Sequence, residues 1–88
     1  MNKSLIDPAF LRKRLHYRSW HRGCKETDLI LGRFADERLD DLPPQLLETY
    51  EKLLNENDVD LWDWIRGGDA PAEYAELLEM MKSSVLGA

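Results

Sequence analysis

Between positions 46 and 54 the apolar side chains Leu46, Leu47, Tyr50, Leu53 and Leu54 fall at offsets 0, +1, +4, +7 and +8. That is the spacing of one face of an α-helix, and no stretch of the chain offers the strict alternation of a half-buried strand. A chain with only this period buries its apolar atoms by laying short amphipathic helices against one another. Prolines and glycines mark where they begin and end. Asp7-Pro8 reads as an acidic N-cap followed by proline at the first helical position, where its missing N–H costs nothing. The helix it opens carries Phe10, Leu11, Leu15, Tyr17 and Trp20 and runs to about His21. A second is expected from about Lys25 to Arg38, with Leu29, Ile30, Phe34 and Ala35 facing inward. Asp40-Asp41-Leu42-Pro43-Pro44 breaks the chain before the third. Leu61, Trp62 and Ile65 predict a fourth, closed by Gly67-Gly68. Of the pair Trp62 and Trp64, which cannot share a helix face, Trp62 is expected in the core. Asp69-Ala70-Pro71 opens a fifth, with Tyr74, Leu77, Leu78 and Met81 at 0, +3, +4 and +7. The expectation is an all-α single domain over residues 1–88, a bundle of four to five short helices. Its ordered core spans about 8–82 and residues 83–88 fray.

At 88 residues, such a domain buries only about two-thirds of its unfolded surface and has no room for a large cofactor in a core of its own. No apolar run exceeds Leu29-Ile30-Leu31, too short to span a bilayer, and residues 1–10 lack the apolar centre of a signal peptide. The lone Cys24 cannot form an internal disulfide, which points to a reducing compartment, most simply the cytoplasm. The net charge of −5 is unevenly spread. Residues 1–33 hold eight Lys and Arg against three acids, and residues 34–88 hold four against fourteen. One basic and one acidic face would steer a partner.

His16, His21 and Cys24 are the soft ligands of the chain. His16 and His21 are five apart, which on a continuous helix sets their rings well apart around the axis, and no second cluster completes the four donors, or three and a water, that zinc takes in a fixed geometry, so no metal is expected. Cys24 beside two histidines and the cations Arg22 and Lys25 has the residue types of an activated thiol. No phosphate-binding glycine loop or nucleophile elbow accompanies it, and no catalytic residue is expected. The stretch Arg18-Ser19-Trp20-His21-Arg22-Gly23-Cys24-Lys25-Glu26 has the composition of a binding hot spot. Gly23 inside a helix would cost about 1 kcal/mol relative to alanine. Either the chain turns there, or another backbone approaches where a side chain would clash. Arg22 and Glu26, four apart, would form a surface ion pair if the helix continued through them. On the residues alone, an ordinary helix junction and a binding site stand level. A second reading is a small nucleic-acid-binding or regulatory helical domain. In it, Arg12-Lys13-Arg14, Arg18 and Arg22 grip phosphates, with Tyr17 and Trp20 stacking on bases. The acidity of the remainder argues against it.

The Arg22-Gly23-x-x-Glu26 pattern resembles the R-G-x-x-E hallmark of the small succinate dehydrogenase assembly factors, often called SdhE or flavinator proteins. The likeness extends to Arg12-Lys13-Arg14-Leu15, to Tyr17-Arg18-Ser19-Trp20-His21 and to Asp28-Leu29-Ile30-Leu31-Gly32-Arg33-Phe34. It continues through Asp58-Val59-Asp60-Leu61-Trp62-Asp63-Trp64-Ile65 to Pro71. The resemblance implies a five-helix bundle that binds the flavoprotein subunit of succinate dehydrogenase, or of the related fumarate reductase. It implies that the domain promotes covalent joining of the flavin 8α carbon to a histidine of that subunit. It further implies that Arg22, Gly23 and Glu26 form the partner-binding surface, with Arg18, Trp20 and His21 as neighbours. On this reading the domain is a non-catalytic chaperone and a monomer. It holds no cofactor itself, since FAD is carried by the partner, and neither binds nucleic acid nor inserts into a membrane.

Overall fold

In the computed structural model, which describes residues 8–83, helices follow one another with short connections. They are α1 (Pro8–Trp20), α2 (Lys25–Arg38), α3 (Pro44–Leu54), α4 (Asp58–Ile65) and α5 (Ala75–Met81). Single 3-10 turns, Leu39–Asp41 and Ala72–Tyr74, lie before α3 and α5. No strand occurs among the described residues, so the fold is all-α as the periodicity predicts. The N-cap expected at Asp7 lies outside the described residues, as does the fraying expected over 83–88 except at Ser83. None of the helices there is long and apolar enough to cross a membrane.

The local signals act as their chemistry dictates. Pro43 is extended at φ −68° and ψ 162°, and Pro44 takes the first position of α3, where no N–H is needed. Asn57 caps α4 by accepting the Asp60 N–H at 2.9 Å. Past Ile65, Gly67 adopts φ +110°. Its N–H reaches the Trp64 carbonyl at 3.1 Å, and the Gly68 N–H reaches Asp63 at 2.8 Å. These are the two bonds of a Schellman closure, and they satisfy carbonyls that the end of α4 would otherwise leave open.

Helix α1 packs on α2 and α3, and α4 packs on α2 and α5. Tyr50 stands at the centre, fully buried, its ring 5.5 Å from that of Phe34. The buried Ser19 hydroxyl donates to the Leu15 carbonyl at 2.7 Å. It also meets the Tyr50 hydroxyl at 2.5 Å, and that hydroxyl has the Leu31 carbonyl as a second acceptor for its proton at 3.5 Å. Burial holds the Tyr50 phenol well above its ordinary pKa, which keeps that proton in place. No buried side-chain nitrogen or oxygen among the described residues lacks a partner.

Two expectations about faces are corrected. On α2 the buried set is Thr27, Ile30, Leu31, Phe34 and Ala35, with Gly32, whereas Leu29 is 50% exposed. Leu29 and Leu31 are about 200° apart around a helix, so only one can face inward. The phase is set by the stripe 27, 30, 31, 34, 35, a better match to one face than 29, 30, 34, 35. On α4, Trp64 is the core tryptophan, its ring 5.6 Å from Tyr74. Trp62 is half-buried at the edge, with the Arg66 guanidinium 5.8 Å from its ring centre. Leu61 and Ile65 point inward one turn apart, and Trp64 lies between them on that face; Trp62 is rotated off it.

Candidate functional site: the turn between α1 and α2

Helix α1 stops at Trp20 because the chain reverses through residues 21–24. Gly23 sits at φ +101°, the left-handed region that side-chain-bearing residues avoid. A Cβ there would meet nothing within 4 Å. The glycine thus suits the turn, and among the described residues no other backbone approaches it. Cys24, extended, is the N-cap of α2, and its carbonyl accepts the Asp28 N–H at 2.7 Å. Asp28 reaches back from the first turn of α2. One of its oxygens accepts the Arg22 N–H at 3.0 Å and the other the Gly23 N–H at 3.3 Å. A carboxylate at that end of a helix is also favoured by the helix dipole.

The Arg22 side chain turns inward. Its Nε donates to Asp58 Oδ1 at 2.7 Å, Nη1 to the Leu54 carbonyl at 2.5 Å, and Nη2 to the Glu56 carbonyl at 2.6 Å. Leu54 ends α3 and Asp58 begins α4, so one guanidinium caps the first helix and anchors the second. Arg18 adds a bond from Nη2 to Asn55 Oδ1 at 2.8 Å, placing a second cation at the negative end of α3. The expected pair of Arg22 with Glu26 does not form. The helix that would have aligned them is interrupted by the turn, and Arg22 finds better-desolvated acceptors across the fold. Its side chain is only 12% exposed.

Beside the turn, the Trp20 ring lies flat over Gly32 of α2; a Cβ at position 32 would come 2.2 Å from its Cδ2. Trp20 Nε1 donates to Asp36 Oδ1 at 3.2 Å, and His16 Nε2 bonds the same oxygen at 2.5 Å. These bonds, the Trp20 one first, hold the Asp36 carboxyl below its usual range. Alanine is normally the better helix former by about 1 kcal/mol. Here Gly32→Ala is expected to be destabilising, by about 1–2 kcal/mol, because the methyl displaces the indole that joins α1 to α2. Urea unfolding of the two proteins checks the sign.

The six residues singled out in the sequence therefore gather at one corner, but in different roles. Gly23, Glu26 and His21 are exposed, His21 stacked on Tyr17 with ring centres 4.2 Å apart. Trp20 and Arg18 are half-buried and hold α1 to its neighbours. The Arg22 side chain is largely buried, with its recorded bonds inside the domain. Asp28, Asp58 and Gly32 escaped notice as working parts of the corner. Asp28 had a signal, a carboxylate six residues after Arg22 in the first turn of a helix; Asp58 had none within reach of the motif.

His16, His21 and Cys24 have contacts of their own. His16 is engaged by Asp36, His21 stacks on Tyr17, and the Cys24 sulfur accepts from Thr27 Oγ1 at 3.3 Å. Among the described residues no three His, Cys, Asp or Glu side chains gather as a metal site would need. Of the cations offered for nucleic acid, Arg22 and Arg18 are spent as above. Arg12 donates to the Leu39 and Leu42 carbonyls at 3.3 and 2.8 Å. That alternative is not supported.

Comparison with known proteins gives the family. The Sdh5 family, described as flavinator of succinate dehydrogenase, matches residues 13–85. The mitochondrial succinate dehydrogenase assembly factor 2 of Schizosaccharomyces japonicus is 51% identical over 74 residues, covering 84% of this chain and 52% of its own. The Schizosaccharomyces pombe protein of the same name is 39% identical over 75 residues, 84% of this chain and 54% of its own. That of Kluyveromyces lactis is 51% identical over 53 residues, 60% of this chain and 32% of its own. The chain thus spans about half the length, or less, of these curated relatives. No solved structure matches. The cytoplasmic expectation is overturned, since these relatives are mitochondrial by name. A lone cysteine reports a reducing environment, and such an environment is not an address. Since the family model covers residues 13–85, most of the chain, the chain belongs to the flavinator family of succinate dehydrogenase.

Proposed function

We propose that this domain binds the flavoprotein subunit of succinate dehydrogenase, or of the related fumarate reductase, and promotes covalent attachment of FAD to a histidine of that subunit. The observation that carries the reading is the turn at Gly23, a protruding backbone with open space around it and the exposed Glu26 carboxylate beside it. Glycine lets a partner's surface come against the backbone, and a free carboxylate accepts charge-assisted bonds from it. The domain acts by position. It holds part of the flavoprotein so that histidine and the flavin 8α carbon meet more often, which is an entropic contribution to rate. It is a monomeric, non-catalytic assembly factor, and FAD belongs to the flavoprotein. A groove between α1 and the end of α2, lined by Phe10, Arg12, Lys13 and His16 with Asp36 and Asp40, is open to solvent.

The test mixes the domain with FAD-loaded flavoprotein not yet covalently flavinylated, and follows flavin fluorescence on a denaturing gel. Covalent flavin is expected to accumulate faster with the domain than without it. Stimulation should persist at high salt, because the interface does not depend on bound phosphates. A folded domain that leaves the rate unchanged would sink the proposal.

A further inference from the structure

Arg22 is held twice, by its backbone and by its side chain, and by different carboxylates. Asp28 takes the Arg22 and Gly23 N–H groups. Asp58 takes the guanidinium Nε, while the Leu54 and Glu56 carbonyls take the two Nη groups. We infer that Asp28 and Asp58 are positioning residues of the flavoprotein-binding corner: they fix Arg22 from both ends, so that Gly23 and Glu26 are presented in one geometry. Arg22 then serves the interface from within the domain. This rests on the flavinator reading above.

Three observations carry the inference. Three of the five Arg22 guanidinium N–H groups are taken by two carbonyls and a carboxylate of the domain, and withdrawing the side chain toward a partner would leave those part-buried acceptors without their donors. The Gly23 turn has few other restraints. Its φ of +101° is accessible to glycine but not imposed by it, and the described contacts fixing the 22–23 amides are those to Asp28. Finally, Glu26 pairs with no cation among the described residues, its nearest recorded partner being the Cys24 thiol at 3.9 Å. The group left free to meet another protein is thus the carboxylate of Glu26, not the guanidinium of Arg22. A turn fixed before association loses less conformational freedom on binding, which appears as affinity.

The test uses Asp28→Ala and Asp58→Asn, with Asp58→Glu as the conservative variant and Asp28→Asn in reserve should the alanine protein not fold. Flavinylation rate is measured against domain concentration. Loss of one charge-assisted holder is expected to raise the half-saturating concentration about tenfold while the rate at saturation is retained. Asp58→Glu is expected to recover most of the affinity. In Asp28→Ala the Arg22 and Gly23 amides should exchange with solvent about tenfold faster, while amides of the α2 core such as Leu31 do not change. A role confined to stability predicts a saturating rate that falls with the folded fraction and an unchanged half-saturating concentration, and that pattern overturns the inference. So does an unchanged exchange rate at 22 and 23. A wild-type domain without effect on flavinylation overturns the flavinator reading and this inference together; variants with the wild-type half-saturating concentration, beside an active wild type, overturn this inference alone.

Discussion

Arg22→Ala is expected to lower the melting temperature of the isolated domain by roughly 10–20 °C, read by helical circular dichroism, with no partner present. The reason lies in what the guanidinium leaves behind. The Leu54 and Glu56 carbonyls and the Asp58 carboxylate, the last 35% exposed, lose donors at 2.5–2.7 Å. One charge-assisted bond is worth about 1.5–3 kcal/mol, so losing a partly solvated set of three should cost about 2–3 kcal/mol after water replaces some of it. The control is Glu26→Gln, which should move the midpoint by a few degrees at most because Glu26 is exposed. Equal midpoints for wild type and Arg22→Ala would return Arg22 to the surface role its motif suggests. The distinction matters for function. A loss of flavinylation in an Arg22 variant would otherwise be credited to a partner contact when it can arise from the bonds lost within the domain.

Gly23→Arg is expected to abolish stimulation of flavinylation while leaving the five helices in place. A side chain at 23 meets nothing within 4 Å, so it fits the fold sterically and projects into solvent at the corner. The remaining cost is the left-handed backbone, φ +101°, at about 1–2 kcal/mol for a residue with a Cβ. That is tolerable for a domain of ordinary stability, and the helical spectrum should survive. Gly23→Ala separates the two effects, since it bears the same backbone strain with only a methyl group. Near-normal stimulation by alanine assigns the loss to the bulk of arginine and hence to close approach by the flavoprotein. Loss by alanine as complete as by arginine assigns it to the turn's conformation. A folded Gly23→Arg protein that stimulates like wild type removes Gly23 from the interface.

The helices and their order were legible because their signals are local. Pro44, Asn57 and Gly67 act on groups within a few residues, and the stripe 46, 47, 50, 53, 54 needs only the helical period to be read. The corner itself was visible as a composition, and Gly23 as a backbone requirement, though the sequence left turn and close approach as alternatives. Its internal wiring was hidden. Arg22 beside Glu26 reads as a pair at helical spacing, and the true acceptors lie 32 to 36 residues away. Gly32 looks like a weak point in a good helix until the indole of Trp20 is placed over it.

Helix content, helix borders and the break at Gly23 follow from the sequence alone, because backbone hydrogen bonds and φ preferences act between neighbours. Which of Leu29 and Leu31 turns inward, which tryptophan enters the core, and where the Arg22 guanidinium comes to rest follow from the assembled bundle. Each of those outcomes compares rotamers and faces that are nearly equal within one helix. They become unequal only when a second helix arrives to take one of them out of water.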